Sequence, residues 1–142
     1  MRRAVRSDVP FIMALEKGAI DHPWQEQDII ALVEDANKIC LVETDTNGEI
    51  TGYIGCDWVL DEASIGNIVV SPEHRRQGIG AGLISGLLSM LKDRGITVIF
   101  LEVRFDNEAA IALYTGLGFE VYNRRRDYYG KGIDALLMKK LI

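Results

Sequence analysis

Cysteine is scarce in this sequence: Cys40 and Cys56 are the only two among 142 residues. Each sits inside an apolar run, and a pair so placed makes neither a disulfide framework nor a zinc site, so both are expected to be buried free thiols. Histidine is as thin, with His22 and His74 alone, and neither has a partner at metal spacing, so no metal is expected. No apolar run of 18 residues occurs, and the arginines at positions 2, 3 and 6 precede nothing like a signal segment. A membrane-spanning helix is therefore excluded, no membrane partner is expected, and cytoplasm is the expected location. Basic residues are outnumbered 21 to 16, for a net charge of −5. That balance disfavours grip on nucleic acid, which needs lysine and arginine gathered on one face. The one basic run, Arg124-Arg125-Arg126, reads either as a solvated strand end or as a rim that touches cofactor phosphate or substrate.

What is present is the composition of a globular protein, 48% hydrophobic and 26% charged, and its length suits one domain over residues 1–142. Residues 1–6 suit an edge strand. Ser7 or Asp8 with Pro10 starts a helix to about Lys17, and Trp24 to Ala36 has the apolar spacing of a second. Ile39–Thr44 and Ile50–Leu60 are β-rich runs around Asn47-Gly48, the strongest short hairpin signal, and predict antiparallel neighbours. Asp61-Glu62 turns into a strand over Ala63–Val70. Leu83, Ile84, Leu87, Leu88 and Leu91 then mark a helix over Gly80–Arg94, with Gly95 placed as its left-handed end. Thr97–Val103 is nearly continuous in β-branched and apolar residues, as in a strand covered on both faces. These three elements form a βαβ unit with parallel strands. Asn107 caps a short helix to about Gly116, and Phe119–Arg125 and Asp134–Leu141 supply the last strands. The expected fold is α+β: a mostly antiparallel mixed sheet with one parallel crossover, flanked by helices.

The segment Arg75-Arg76-Gln77-Gly78-Ile79-Gly80-Ala81-Gly82 stands between a buried strand and the long helix. Glycines there let backbone N–H groups converge on an anion at the helix N-terminus, a cradle for pyrophosphate. It is not a Walker loop, since no Gly-Lys-Ser/Thr follows, and the dinucleotide G-x-G-x-x-G pattern fails at position 83, which is Leu, and at 85, which is Ser. A ligand-free glycine turn remains the alternative. Glu102 ends a buried strand, where a carboxylate is either functional or a costly burial. Tyr114 lies two helical turns past Asn107 on the same face, so a cap and a phenol point to one groove; a core tyrosine is the alternative.

Arg75-x-x-Gly78-x-Gly80 and Asn107-x-x-Ala110-x-x-Leu113-Tyr114-x-x-x-Gly118-Phe119 resemble the two signatures of GNAT acetyltransferases, in the right order and on the right elements. Finer detail is similar to the bacterial branch that acetylates the N-terminal alanine of a small-subunit ribosomal protein: His22-Pro23-Trp24, Leu60-Asp61-Glu62-Ala63, Asn67-Ile68-Val69-Val70, Leu101-Glu102-Val103-Arg104 and Asp127-Tyr128-Tyr129. The chain departs from that branch at Gly66, where a larger side chain is common, and at Gly132-Ile133-Asp134, where an acidic pair is usual.

The resemblance implies the GNAT fold and acetyl-CoA as cosubstrate. Main chain of Ile68, Val69 and Val70 would pair with the pantetheine arm where two strands splay, Arg75, Arg76, Gln77, Gly78, Ile79, Gly80 and Ala81 would hold the pyrophosphate, and Asn107 would meet pantetheine from the other side. It implies Glu102 as general base and Tyr114 as general acid, and the chemistry separately needs such a pair, because an ammonium must lose a proton and a departing thiolate gains from one. Trp24, Asp61 and Tyr129 are expected at the acceptor. The implied partner is a protein N-terminus, such as that of a small-subunit ribosomal protein, met by a monomer or weak dimer. A small-molecule amine is the alternative acceptor, and a noncatalytic acyl-CoA-binding module is the alternative from outside enzymology.

Overall fold

The computed structural model describes residues 1–19 and 23–142; Asp21 and His22, part of the expected linking segment and of the His-Pro-Trp likeness, lie outside the described residues. Its frame is a seven-stranded sheet of order β1-β2-β3-β4-β5-β7-β6. The strands are β1 (Arg2–Arg3), β2 (Lys38–Thr44), β3 (Ile50–Val59), β4 (Glu62–Val70), β5 (Val98–Arg104), β6 (Glu120–Arg125) and β7 (Ala135–Leu141), and the helices are α1 (Val9–Ala19), α2 (Glu26–Glu34), α3 (Ile79–Asp93) and α4 (Glu108–Gly116). The hairpin of β2 and β3 is antiparallel, with Gly48 at φ +81° in its turn. The β4–α3–β5 crossover joins the parallel pair. Asn107 caps α4 by accepting a bond from the Ala110 N–H at 3.2 Å, and Gly95 takes φ +79° past α3. The strand and helix bounds expected from periodicity hold to within about two residues, except that the first strand shrinks to Arg2–Arg3.

Helices cover the sheet on both faces. Leu83, Ile84, Leu87 and Leu91 of α3 and Tyr114 of α4 pack on Ile54, Ala63, Ile65, Ile99, Leu101 and Val103. On the other face Val9 and Ile12 of α1, with Ile29 and Leu32 of α2, pack on Cys40, Val42, Tyr53 and Val69. Both cysteines are buried and free, and burial pushes each thiol up to about 12.

One irregularity in β4 organises the site. Asn67 pairs with Gly55 and Ile65 with Cys56, which leaves Gly66 as an extra residue opposite no partner. An inserted residue reverses which face each later side chain takes, because strand periodicity is two. Ala63 and Ile65 therefore join the α3 side, while Val69, two steps further along the odd numbers, joins the α1 side.

Ser7 and Asp8 do not cap α1 as expected; Asp8 closes a 3₁₀ turn by accepting from the Val5 N–H at 2.8 Å. Its two oxygens also accept from Arg2 at 2.7 and 2.9 Å, and this pairing holds its carboxyl below the usual carboxylate range.

Tyr53 is fully buried, and its hydroxyl has no hydrogen-bond partner among the described residues. A desolvated, unpaired hydroxyl costs ~1–3 kcal/mol. Tyr53→Phe is accordingly expected to leave thermal stability unchanged or raise it by about 1 kcal/mol. Denaturant melts of both proteins check this, and a clear loss on substitution would mean that the hydroxyl is satisfied in solution.

A slot through the sheet and the groove beside it

The parallel strands β4 and β5 pair only at their beginnings, Glu62–Ser64 against Val98–Phe100. Past those residues they part, so Ile65–Val70 present an unpaired main-chain edge in the middle of the sheet. Such an edge is a template for any extended chain of amides. Ile68, Val69 and Val70 lie on it, as expected, although the Val70 carbonyl already accepts from Arg75 Nε at 3.4 Å.

The glycine-rich segment opens α3 at the end of this slot. Arg76 and Gly78 both have left-handed backbone, φ +65° and +78°, a combination that curls successive N–H groups toward one point. No side chain caps α3 at Gly78. The Gly82 N–H makes the first bond back, to the Gly78 carbonyl at 3.0 Å, so the amides of Ile79, Gly80 and Ala81 are the helix's unclaimed donors. A Cβ on Gly80 would stand 3.4 Å from Leu113 and 3.9 Å and 4.0 Å from Ile68 and Val70. The glycine thus keeps open the mouth of the slot, between β4 and α4. The Asn107 side chain uses Oδ1 for its cap, which leaves its NH₂ free to donate.

On the opposite face is a groove of about 870 Å³ lined by Ala19, Trp24, Ser64–Asn67, Phe100–Glu102, Arg104, Tyr122, Tyr128, Tyr129 and Ile133. Here β5 departs from the expected strand covered on both faces. Ile99, Leu101 and Val103 are buried, whereas Glu102 and Arg104 are exposed, because α1 and α2 lie over β2, β3 and β4 and stop short of β5. Glu102 is consequently no costly burial: its side chain keeps 37% exposure. Arg125 Nη1 stands 3.9 Å from Glu102 Oε1 and its guanidinium lies over the Tyr128 ring at 5.6 Å. Hydrogen bonding to Glu102 is the leading cause that raises the Tyr128 phenol, followed by burial. Tyr129, edge-on to Tyr128 at 5.0 Å, is raised by burial first and by the Glu102 charge second.

Tyr114 is on the far side of the sheet from Glu102, buried beside Leu101 and Val103 and edge-on to Phe119 at 6.0 Å. Burial, with a smaller contribution from Tyr129, pushes its phenol up to about 12. Base and acid candidates thus flank the slot from opposite faces. Trp24 lies on the bulge: its ring carbons are 2.9 and 3.1 Å from where a Cβ on Gly66 would be, so this tryptophan is what the unusual glycine accommodates.

One residue expected at the acceptor is placed elsewhere. Asp61 is outside the groove, at the closed end of the β4–β5 pair, where its carboxylate accepts from Thr97 Oγ1 at 2.6 Å and its carbonyl from the Thr97 N–H at 2.8 Å. Of the two readings of the arginine run, the exposed side chains of β6 suit a solvated strand end, while Arg125, 3.9 Å from Glu102, suits a rim on the substrate side; Arg124 binds Asp134 at 2.6 Å. Asp134 in turn accepts from the Asp127 N–H at 3.0 Å, which anchors the loop that carries Tyr128 and Tyr129. Reading the strand in steps of two from Glu102 would have found Phe100 and Arg104; Arg125 is marked only by its basic run, and no local signal marks Tyr122 or Ile133.

A sheet opened in its middle, with a bed for an anionic tail at one end and a groove with an aromatic wall and a carboxylate across it, is the layout of a protein that brings two ligands together through its sheet. The chain belongs to the acetyltransferase (GNAT) family, whose model matches residues 9–119. It is 37% identical over 123 residues to the [Ribosomal protein bS18]-alanine N-acetyltransferase of Escherichia coli (strain K12), covering 87% of this chain and 82% of that protein. The identically named protein of Haemophilus ducreyi is 30% identical over 138 residues, 94% of each chain. A crystal structure of the ribosomal-protein-S18-alanine N-acetyltransferase from Escherichia coli superposes with a TM-score of 0.90 at 35% identity, over 99% of this chain and 91% of that one.

Proposed function

We propose that residues 1–142 act as one catalytic domain that transfers an acetyl group from acetyl-CoA to the N-terminal α-amine of a protein beginning with alanine, a small-subunit ribosomal protein being the acceptor that the similarity to the Escherichia coli enzyme favours. The observation that carries this reading is the slot between β4 and β5, with the uncapped start of α3 at one end and Glu102 across it. Fit to acetyl-CoA is supported by the free edge of Ile68–Val70, the unclaimed amides of Ile79–Ala81 and the space held by Gly80. Arg75, Arg76, Gln77 and Gly78 belong to the same bed, and Asn107 offers its NH₂ from the α4 side.

The acceptor enters as an ammonium, which suits a groove combining one carboxylate with the rings of Trp24, Phe100, Tyr122, Tyr128 and Tyr129. Glu102 takes the proton that frees the lone pair. The amine nitrogen then bonds to the acetyl carbon and gives up its second proton as the carbon–sulfur bond breaks, and the sulfur leaves with its electron pair, hydrogen-bonded by the Tyr114 hydroxyl, and takes up a proton. Amide, CoA thiol and one proton result. An α-amine titrates near ~7.7–8.0 and a lysine near ~10.4, so one carboxylate suffices for the first and not for the second. A cytoplasmic setting goes with a ribosomal acceptor; among the described residues no helix is long and apolar enough to cross a membrane.

The test offers peptides beginning with Ala, Ser, Met and Leu, plus one blocked at its N-terminus with a free internal lysine, and locates the acetyl group by fragmentation. Acetylation at the first residue of the Ala and Ser peptides is expected. Modification of the internal lysine, or turnover of small free amines alone, would overturn the N-terminal reading.

A further inference from the structure

Glu16 is the most deeply buried carboxylate among the described residues, with 0% exposure. It follows Val9 and Ile12 on the face of α1 that packs on the sheet, where a leucine or methionine would complete an apolar stripe. Instead the carboxyl accepts from Asn67 Nδ2 at 2.8 Å, and the backbone N–H of Trp24 is the second donor that bears on it. Its Oε2 is buried with no full hydrogen bond among the described residues. Burial raises its pKa, and the two donors oppose that shift without cancelling it. A buried carboxyl opposed by desolvation adds little to stability, so the contacts it holds are what sets it apart.

The geometry concerns the groove. Asn67 and Trp24 both line it, while Glu16 does not. Asn67 follows the Gly66 bulge directly, and the Trp24 ring rests on that bulge. A carboxylate only accepts hydrogen bonds, so it draws the NH₂ of Asn67 inward and leaves Oδ1 as the atom turned outward. We propose that Glu16 is a positioning residue for the acceptor: from behind the wall it sets the Asn67 carboxamide with its oxygen toward the groove, where it accepts a hydrogen bond from the first N–H groups of the incoming peptide, and it fixes Trp24 beside it. This rests on the groove being the acceptor site.

Glutamine at position 16 has the same shape but carries a donor and an acceptor, so it satisfies one of the two donors at most and no longer dictates which way Asn67 faces. Glu16→Gln is expected to raise KM for an alanine-first peptide about tenfold, the cost of one hydrogen bond. The turnover number should stay within about threefold and the Kd for acetyl-CoA within about twofold, since neither Glu102 nor the α3 bed is touched. Removing a buried charge should leave Tm equal or higher. Glu16→Met is the second variant, expected to be stable and to raise KM at least as much. In the double variant with Asn67→Ala, Glu16→Gln should add clearly less than it costs alone, since only its hold on Trp24 then remains. Unchanged KM in both single variants, or parallel losses in turnover and acetyl-CoA binding, would overturn the proposal. Side-chain amide exchange by NMR reads the clamp apart from catalysis: Asn67 NH₂ protons should be protected in the wild type and not in Glu16→Gln. Equal exchange in the two would overturn the clamp even in an active enzyme, whereas a protected amide in a protein that acetylates no peptide would count against the acceptor reading instead.

Discussion

Gly80→Glu is expected to weaken acetyl-CoA binding by at least about a hundredfold, measured by calorimetry on folded protein. The fold itself has no objection to the change: a Cβ at position 80 finds ordinary contacts at 3.4 to 4.0 Å, and Glu is a better helix residue than Gly by several tenths of a kcal/mol. What the side chain does is grow from the first turn of α3 into the mouth between β4 and α4, bringing a negative charge to amides that await one. Like charges ~4 Å apart near a protein surface repel by ~4 kcal/mol, and each ~1.4 kcal/mol is tenfold in affinity. Gly80→Ala, which adds only the Cβ, should lose less than about tenfold, because 3.4 Å is van der Waals contact and not a clash. Tm should not fall in either variant. Equal affinity in wild type and Gly80→Glu would remove the α3 bed from the account.

The parts of this molecule that could be read in advance are those whose cause is local. Asn47-Gly48 makes a turn because Gly48 adopts φ +81°, and Asn107 starts a helix because its own Oδ1 reaches the Ala110 N–H. The glycine bed before α3 is likewise a property of a few consecutive residues. What escaped is set by distant partners. The extra residue at Gly66 reverses the facing of β4, and nothing near it in the chain says so; the reason is the ring of Trp24 on one side and the register with β3 on the other. β7 inserts between β5 and β6, a long-range choice that local pattern does not encode. Asp61 was misplaced for the same cause: it is near the acceptor strand in sequence, but β4 is nine residues long and Asp61 precedes its closed end. Glu102 was placed on the right strand with the wrong burial, since whether a strand is covered on one face or two depends on where α1 and α2 come to rest.

Tyr114→Phe is expected to lower the turnover number by about a hundredfold while leaving the Kd for acetyl-CoA within about twofold, as for loss of one donor aimed at developing negative charge. Phenylalanine keeps the ring that packs edge-on against Phe119 at 6.0 Å, so only the hydroxyl is lost. The size of the effect follows from how that hydroxyl acts. Its pKa is pushed up to about 12 by burial, whereas a thiol titrates near ~8.5, so complete transfer of the tyrosine proton to the leaving sulfur is uphill by roughly three units. A hydrogen bond from the hydroxyl, strongest when the carbon–sulfur bond has largely broken, costs no such penalty. The sign of the shift also fixes a pH dependence: a phenol with a raised pKa stays protonated, so the wild-type rate should show no loss from Tyr114 ionisation up to at least pH ~10, the ordinary value for tyrosine. The basic limb of the profile should be unchanged in shape in Tyr114→Phe, with the whole curve lowered. Turnover by CoA release across pH, with acetyl-CoA affinity measured in parallel, checks both statements. A fall below about threefold would mean that another donor or water serves the sulfur, and an equal loss in affinity and turnover would make Tyr114 a packing residue of the α4 side.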